Sequence, residues 1–211
     1  MSIRLLLVDD HAVVREGYRR LLERRGDLRI VAEAGTAAVA LSAVREHAPD
    51  LVVLDLALPD MGGIELIGRL RQRAPALRIL AFSMHRDPLF AAQALKAGAL
   101  GYVTKSSEPS VLVQAVYRVA GGVRTLSPDI APELAMSLLD DAPGPLHALS
   151  PREFEVLRLL LDGDDHARIG ERLHISPKTV QNTHYQIKRK LGARSDIELA
   201  RLATEHGLGR G

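Results

Sequence analysis

The chain has 211 residues, 46% of them apolar, with 28 Lys and Arg set against 26 Asp and Glu and no cysteine. That length suits two modest domains, each burying its own core, and the composition excludes a disordered chain. The missing cysteines exclude disulfides, thiolate nucleophiles and cysteine-ligated zinc, and a formal net charge of only +2 gives no global attraction to nucleic acid.

The N-terminal stretch "MSIRLLLVDD" is apolar over too few residues for a signal peptide or a membrane span, so no membrane partner is expected and the cytoplasm is the default location. Short apolar runs at 3–8, 29–34, 51–54, 78–82 and 101–105 read as strands, and three are continuous enough to be covered on both faces. Helical patterns separate them at 13–24, 36–46, 63–73, 87–97 and 108–120. Five strand and helix pairs with short links predict an α/β fold. It is a doubly wound, five-stranded parallel sheet of flavodoxin-like type over residues 1–125.

After Gly121-Gly122 the pattern loosens. Residues 126–148 read as a linker, with a possible short helix near 128–139 and a Pro, Gly and Asp-rich stretch from Asp140 to His147. At "LSPRE", Ser150, Pro151 and Glu153 form a predicted capping box, which opens a small all-α domain at 149–211. Its helices are expected at 151–161, 166–173, 177–191 and 195–205.

Asp9, Asp10, Asp55, Ser83 and Lys105 all fall at or just beyond the C-terminal ends of predicted strands, which in a doubly wound sheet open on one crevice. Three carboxylates together repel, and either a shared proton or a cation relieves them, a hard divalent ion with oxygen ligands being the more natural remedy here. Mg2+ is therefore the expected cofactor. Lys105 offers a charge and Ser83 a hydroxyl to a phosphoryl group, with Asp55 as its nucleophilic acceptor. His11 reads as a helix-start residue beside the acids.

The second cluster is local. Residues 176–194, "SPKTVQNTHYQIKRKLGAR", hold five basic residues and no acidic one. On a helical projection Val180, Ile187 and Leu191 face inward with His184 at their margin, while Lys178, Gln181, Asn182, Tyr185, Gln186 and Arg189 face outward. Amides that pair with adenine edges and cations for phosphates are what a helix in a major groove requires. Arg168 and Arg172, on the preceding helix, are candidate phosphate contacts.

The segments "LLLVDDHAVVREGYRRLL", "PDLVVLDLALPDMGGIEL" and "ALGYVTKS" resemble the receiver domain of two-component response regulators. "LSPREFEVLRLLLDG" and "ERLHISPKTVQN", followed by "IKRKLGARSDIELA", resemble the LuxR-type helix-turn-helix. The chain is thus similar almost end to end to the NarL/FixJ family. The resemblance implies a regulator of transcription, not an enzyme in the ordinary sense, phosphorylated on Asp55 by a sensor histidine kinase. It implies that Asp9, Asp10, Asp55 and the backbone carbonyl of Ala57 hold Mg2+ and that Ser83 and Lys105 contact the phosphoryl oxygens. Tyr102 becomes the switch residue that turns inward. Thr179 joins the outward set as a contact to double-stranded DNA, bound as a homodimer through the last helix, with Ile197, Leu199, Ala200 and Leu202.

Several residues depart from the family's pattern. Leu58 stands for a methionine, and Gly62-Gly63 for Asp-Gly. In the second domain the changes are Gln181 for Lys, Thr183 for His with His184 one place on, Asp165-His166-Ala167-Arg168 for a Ser-Asn-Lys-Glu run, and Gly170 for alanine. They keep open an alternative, a regulator that acts through protein contacts with a degenerate helix-turn-helix. A haloacid-dehalogenase type of phosphatase also sets an Asp and Mg2+ at a sheet edge, but it needs a second acid where Ala57 stands.

Overall fold

A computed structural model describes residues 2–86, 88–139, 144–173, 175–206 and 208. The first part runs β1 (Ile3–Val8), α1 (Ala12–Glu23), β2 (Leu28–Ala34), α2 (Ala37–His47), β3 (Leu51–Leu54), α3 (Gly63–Arg73), β4 (Arg78–Ser83), α4 (Pro88–Ala97), β5 (Gly101–Thr104) and α5 (Pro109–Ala120). The strands pair in the order β2-β1-β3-β4-β5, all parallel. Position 87, the expected first residue of α4, lies outside the described residues.

Among the described residues the sheet has six strands, not the five expected. Thr125–Leu126 forms β6, paired in parallel with Gly101 and Tyr102 of β5. Two residues are too few to carry a hydrophobic period, so this edge strand has no sequence signal of its own. A boundary drawn at 125 therefore cuts through a strand. Beyond it α6 (Ala131–Leu139) fills part of the presumed linker, with Ile130 and Leu134 buried in the core. Asp129 fastens this segment to the end of β5 by accepting from the hydroxyls of Thr104 and Ser107.

Strand side chains alternate between two apolar layers, as a period of two demands. Leu5, Leu7, Val53, Phe82 and Val103 pack with Leu22 of α1 and with Leu112 and Val116 of α5. Leu6, Val8, Val52, Leu54, Ile79 and Ala81 face α2, α3 and α4.

The C-terminal part comprises α7 (Pro151–Leu161), α8 (His166–Leu173), α9 (Pro177–Leu191) and α10 (Asp196–Glu205), preceded by a 3-10 turn at Pro145–Ala148. Ser150 caps α7 in a full capping box with Glu153. Ser176 and Ser195 cap α9 and α10 by accepting from Thr179 N and Glu198 N, and Asp165 accepts from Arg168 N at the start of α8. Val180, Ile187, Leu191 and Leu199 are buried here, so Leu199 serves its own domain's core, whereas Ile197 is 85% exposed. Among the described residues no helix is long and apolar enough to cross a membrane.

The two parts share one core. The layer that covers α3 and α4 continues into Leu146, Leu149, Phe154 and Leu157. Phe90 meets Phe154 edge-on at 5.0 Å between ring centroids, and Gln93 Nε2 and Lys96 Nζ donate to the carbonyl of Leu149 at 3.3 and 3.2 Å. Arg152 pairs with Glu65 of α3.

Glycine at the start of α3 is a steric requirement. A Cβ on Gly63 would lie 2.4 Å from the Leu56 Cα, and one on Gly62 would lie 2.2 Å from the carboxyl carbon of Glu155. The first obstacle is backbone, which cannot turn aside. Gly63→Ala is therefore expected to destabilise the protein by about 1–3 kcal/mol, the usual cost of forcing a methyl into filled space. Urea unfolding of the two proteins measures it, and an unchanged midpoint would show that the loop after β3 yields freely.

Candidate functional site

Strand register assembles the first cluster. Val8 pairs with Leu54 across β1 and β3, and Asp55 N donates to the Val8 carbonyl at 2.8 Å, so Asp9 and Asp55 leave the sheet side by side. Ser83 pairs with Thr104, and Lys105 N donates to the Ser83 carbonyl at 2.7 Å. The sequence distances between these residues are irrelevant once parallel pairing aligns the strand ends.

Lys105 is the centre of the cluster. Its ammonium donates to Asp9 Oδ2 at 2.6 Å and to Asp55 Oδ2 at 2.5 Å, with all three side chains under one-tenth exposed. The other Asp55 oxygen, Oδ1, accepts from Ala57 N at 3.1 Å. Burial pushes the Asp55 carboxyl above its usual range, helped by the Asp9 charge and opposed by the Lys105 and Ala57 hydrogen bonds. Burial would lower the Lys105 ammonium, but hydrogen bonds to Asp55 and Asp9 outweigh it and hold the pKa above the usual lysine value. Asp10 stands at the rim, and its Oδ1 lies 2.7 Å from His11 Nδ1. Asp9, Asp10 and His11 together present ligand atoms within 4.8 Å of one another.

One ammonium therefore faces three carboxylates. The excess of hard oxygen donors fits a Mg2+ ion, which asks for one or two protein carboxylates and keeps several waters. The loop that carries Ala57 is held at its far end by Asp60, which accepts from Ala37 N and Ala38 N at 2.8 and 3.0 Å.

Ser83 is fully buried, and its Oγ accepts from His85 N at 3.2 Å. The expected switch residue, Tyr102, is also fully buried, its hydroxyl donating to the His85 carbonyl at 2.8 Å. Its ring is thus already inward. His85 stacks on Phe90 with centroids 3.9 Å apart, and Phe90 meets Phe154 of α7. Sequence reasoning missed this series of contacts and also missed Glu155, a buried acid of α7. Burial pushes the Glu155 carboxyl up, opposed by Arg158, by the Ile64 N–H at the start of α3 and by Arg152. An acid inside the apolar run "FEVLRLLL" was the available signal.

The second cluster is the outer face of α9. Lys178, Thr179, Gln181, Asn182, Tyr185, Gln186 and Arg189 are all exposed, and none lies under α3 and α4, the helices that grip α7. Of the five basic residues in 176–194, Lys188 and Lys190 are paired with Asp196 and Glu153. Arg189 has no ion-pair partner among the described residues. Arg168 and Arg172, expected at phosphates, both pair with Asp164, at 3.1 and 2.6 Å. A Cβ on Gly170 would lie 2.8 Å from the Ile175 carbonyl, which accounts for glycine there.

Comparison with known proteins follows this division. Residues 5–117 match the model of the response regulator receiver domain, and residues 147–203 that of the LuxR family of bacterial regulatory proteins. Response regulator UvrY of Escherichia coli is 35% identical over 98% of this chain and 95% of its own length. Response regulator GacA of Pseudomonas viridiflava is 36% identical over 98% and 97%. Among solved structures, RcsB of Salmonella enterica serovar Typhimurium, bound to the rprA promoter with the phosphomimetic BeF3-, superposes with a TM-score of 0.75 at 26% identity, covering 97% of this chain and 99% of RcsB.

Removing the ammonium tests the electrostatics. Lys105→Ala leaves Asp9 and Asp55 buried without their cation, which is expected to destabilise the protein by about 3–5 kcal/mol near neutral pH. The loss of Lys105 raises the Asp55 carboxyl further above its unfolded value. A carboxyl raised in the folded state contributes stability that is present at low pH and is lost as pH rises through its folded pKa. The deficit of K105A should thus shrink on acidification from pH 8 to pH 5. Denaturant unfolding across that range measures it, and a pH-independent deficit would contradict the arrangement.

Proposed function

The chain belongs to the two-component response regulators of the NarL/FixJ family, and on that premise we propose that Asp55 accepts a phosphoryl group from a sensor histidine kinase and that α9 reads double-stranded DNA. The observation that carries the reading is the Lys105 ammonium spanning Asp9 and Asp55 at the ends of adjacent parallel strands. It is a charge already in place beside the nucleophile, where a phosphoryl group would bring roughly 1.5 to 2 negative charges.

In this reading an Asp55 oxygen forms the new bond to phosphorus as the bond to the donor breaks, and the donor leaves without the phosphoryl group. Asp9, Asp10, Asp55 and the Ala57 carbonyl would hold Mg2+, which supplies charge neutralisation for the phosphoryl oxygens. Lys105 exchanges a carboxylate contact for a phosphoryl one. The Ser83 hydroxyl, turned toward the phosphoryl group, ceases to accept from His85 N. His85 then moves against Phe90, and so against the Phe90 and Phe154 contact that joins the two parts. The protein itself is a switch and not an enzyme in the ordinary sense. A location in the cytoplasm fits both partners.

On DNA, two copies related by a two-fold axis would set two α9 helices in successive major grooves. Asn182 and Gln181 supply amides for base edges, and Arg189 and Lys178 supply cations for phosphates. Ile197, exposed on α10, is the apolar residue available to a homodimer contact. The Asp164 pairing with Arg168 and Arg172 favours a second reading, in which phosphate binding is weak and the output is a protein contact.

Two measurements decide these points. Incubation with Mg2+ and acetyl phosphate should add one phosphoryl group to the protein and none to D55N. A mass gain that persists in D55N would move the nucleophile elsewhere. On a protected genomic fragment, Asn182→Ala should cost about 1–3 kcal/mol at particular base pairs. Arg189→Ala should weaken binding to all sequences alike and flatten the salt dependence. A phosphorylated, folded protein with no preference for any genomic fragment would support the protein-contact reading.

A further inference from the structure

Neither phosphoryl transfer nor base reading uses the two histidines of the helix-turn-helix. His166, in the first turn of α8, and His184, midway along α9, meet with His166 Nε2 and His184 Nδ1 3.0 Å apart. Their ring planes are inclined at 72° with centroids 5.3 Å apart. Behind His184, its Nε2 lies 3.1 Å from Asp196 Oδ1 in the first turn of α10. That contact is not aligned as a hydrogen bond, which leaves the buried Nε2 without a partner. The same Asp196 oxygen accepts from Lys188 Nζ at 2.8 Å, so this cation beside the histidines is matched by a carboxylate. The two rings open on a cavity of about 360 Å³, which Gln181, Asn182, Tyr185, Lys188 and Asp196 also line.

We propose that His166 and His184 form a two-imidazole site for a borderline divalent transition ion of the zinc class, with Asp196 orienting His184 from behind and water from the cavity completing the coordination. Two observations support it. Two nitrogens at about 2.0–2.1 Å from one zinc ion stand about 2.9 Å apart at a right angle and about 3.3 Å apart at the tetrahedral angle. The observed 3.0 Å, which is also a hydrogen bond between the two rings, falls between these, and a small turn of the partly buried His166 ring would bring both lone pairs onto one point. Next, a metal-bound imidazole characteristically has a carboxylate at its other nitrogen, fixing the tautomer. Asp196 lies near that place, 3.1 Å from Nε2 and out of line for a hydrogen bond, and its charge favours a proton on Nε2, which leaves the Nδ1 lone pair facing His166.

Imidazole donors distinguish this site from the oxygen donors at Asp9, Asp10 and Asp55, because nitrogen ligands favour zinc, cobalt or nickel over Mg2+. A bound ion would cross-link α8 to α9 and fix the helix that presents Gln181 and Asn182. The inference does not rest on DNA reading and survives if that reading fails.

The experiment titrates the full-length protein with Co2+ and then Zn2+ in excess Mg2+, which occupies the carboxylate cluster. One ion per chain is expected, with visible Co2+ absorption that Zn2+ displaces, and with shifts confined to the ring 15N signals of His166 and His184. His166→Ala, at a half-exposed position, should weaken binding at least tenfold, and Asp196→Asn by about 10- to 100-fold. Circular dichroism and metal-free melting establish that the variants fold, and the wild-type 15N shifts give a result independent of any variant. No binding, affinity unchanged in H166A, or shifts at His11 with loss of binding in H11A would overturn the proposal. The last outcome would place the ion at Asp9, Asp10 and His11.

Discussion

The ammonium of Lys105, wedged between two buried carboxylates, is the constraint on which the rest of the structure depends. Three acids at one sheet edge would repel one another and resist burial. The lysine makes the arrangement tolerable without neutralising it, since one positive charge faces Asp9, Asp10 and Asp55. The site is thus stable as it stands and still attracts further cationic charge. That combination suits a reversible switch, because an ion and a phosphoryl group can enter together with little change in net charge. The parallel register is the mechanical side of the same constraint. Asp9 and Asp55 meet because Val8 and Leu54 are paired, and Lys105 joins them because Ser83 and Thr104 are paired.

From this edge an unbroken set of contacts reaches the second domain. Ser83 and Tyr102 both engage the backbone of His85, the His85 ring lies flat on Phe90, and Phe90 abuts Phe154. A parallel connection runs from Asp55 through the 56–62 loop to Gly62, against which the buried Glu155 carboxyl is lodged. Both routes end on α7, which leaves the outer face of α9 open. In this arrangement the second domain is held by its first helix and not masked over its reading surface. A change at Asp55 would then act on where α9 is carried, which matters most if two copies must match the spacing of two grooves.

The charge pattern of the second domain follows the same economy of pairing. Asp164 holds Arg168 and Arg172, Asp196 holds Lys188, and Glu153 holds Lys190. What appears in the sequence as a basic stretch is, in three dimensions, a lattice of local pairs with Lys178, Arg189 and Arg194 left toward solvent. Sequence departures at Asp165, His166 and His184 acquire separate explanations: Asp165 is a helix cap, while the two histidines face each other across the helix pair.

The order of the main elements, the parallel sheet, the Ser150 capping box, the Ser176 cap and the acid cluster were legible in the sequence, because each rests on local pattern or on a rule of topology. Apolar runs marked β1, β3 and β4, Ser150 and Ser176 announced α7 and α9, and strand ends gathered Asp9, Asp55, Ser83 and Lys105. The tertiary structure alone decided what depends on surfaces meeting. β6 is too short to have a period, the inward Tyr102 ring depends on the His85 carbonyl, and Leu199 turned to its own core because α10 packs on α9. The continuous core between α4 and α7, the packing of the Glu155 carboxyl on Gly62, and the approach of His166 to His184 involve residues 18 to 93 positions apart, and no local pattern encodes that distance. Periodicity determines which face of a helix is apolar, but only packing determines which other face it meets.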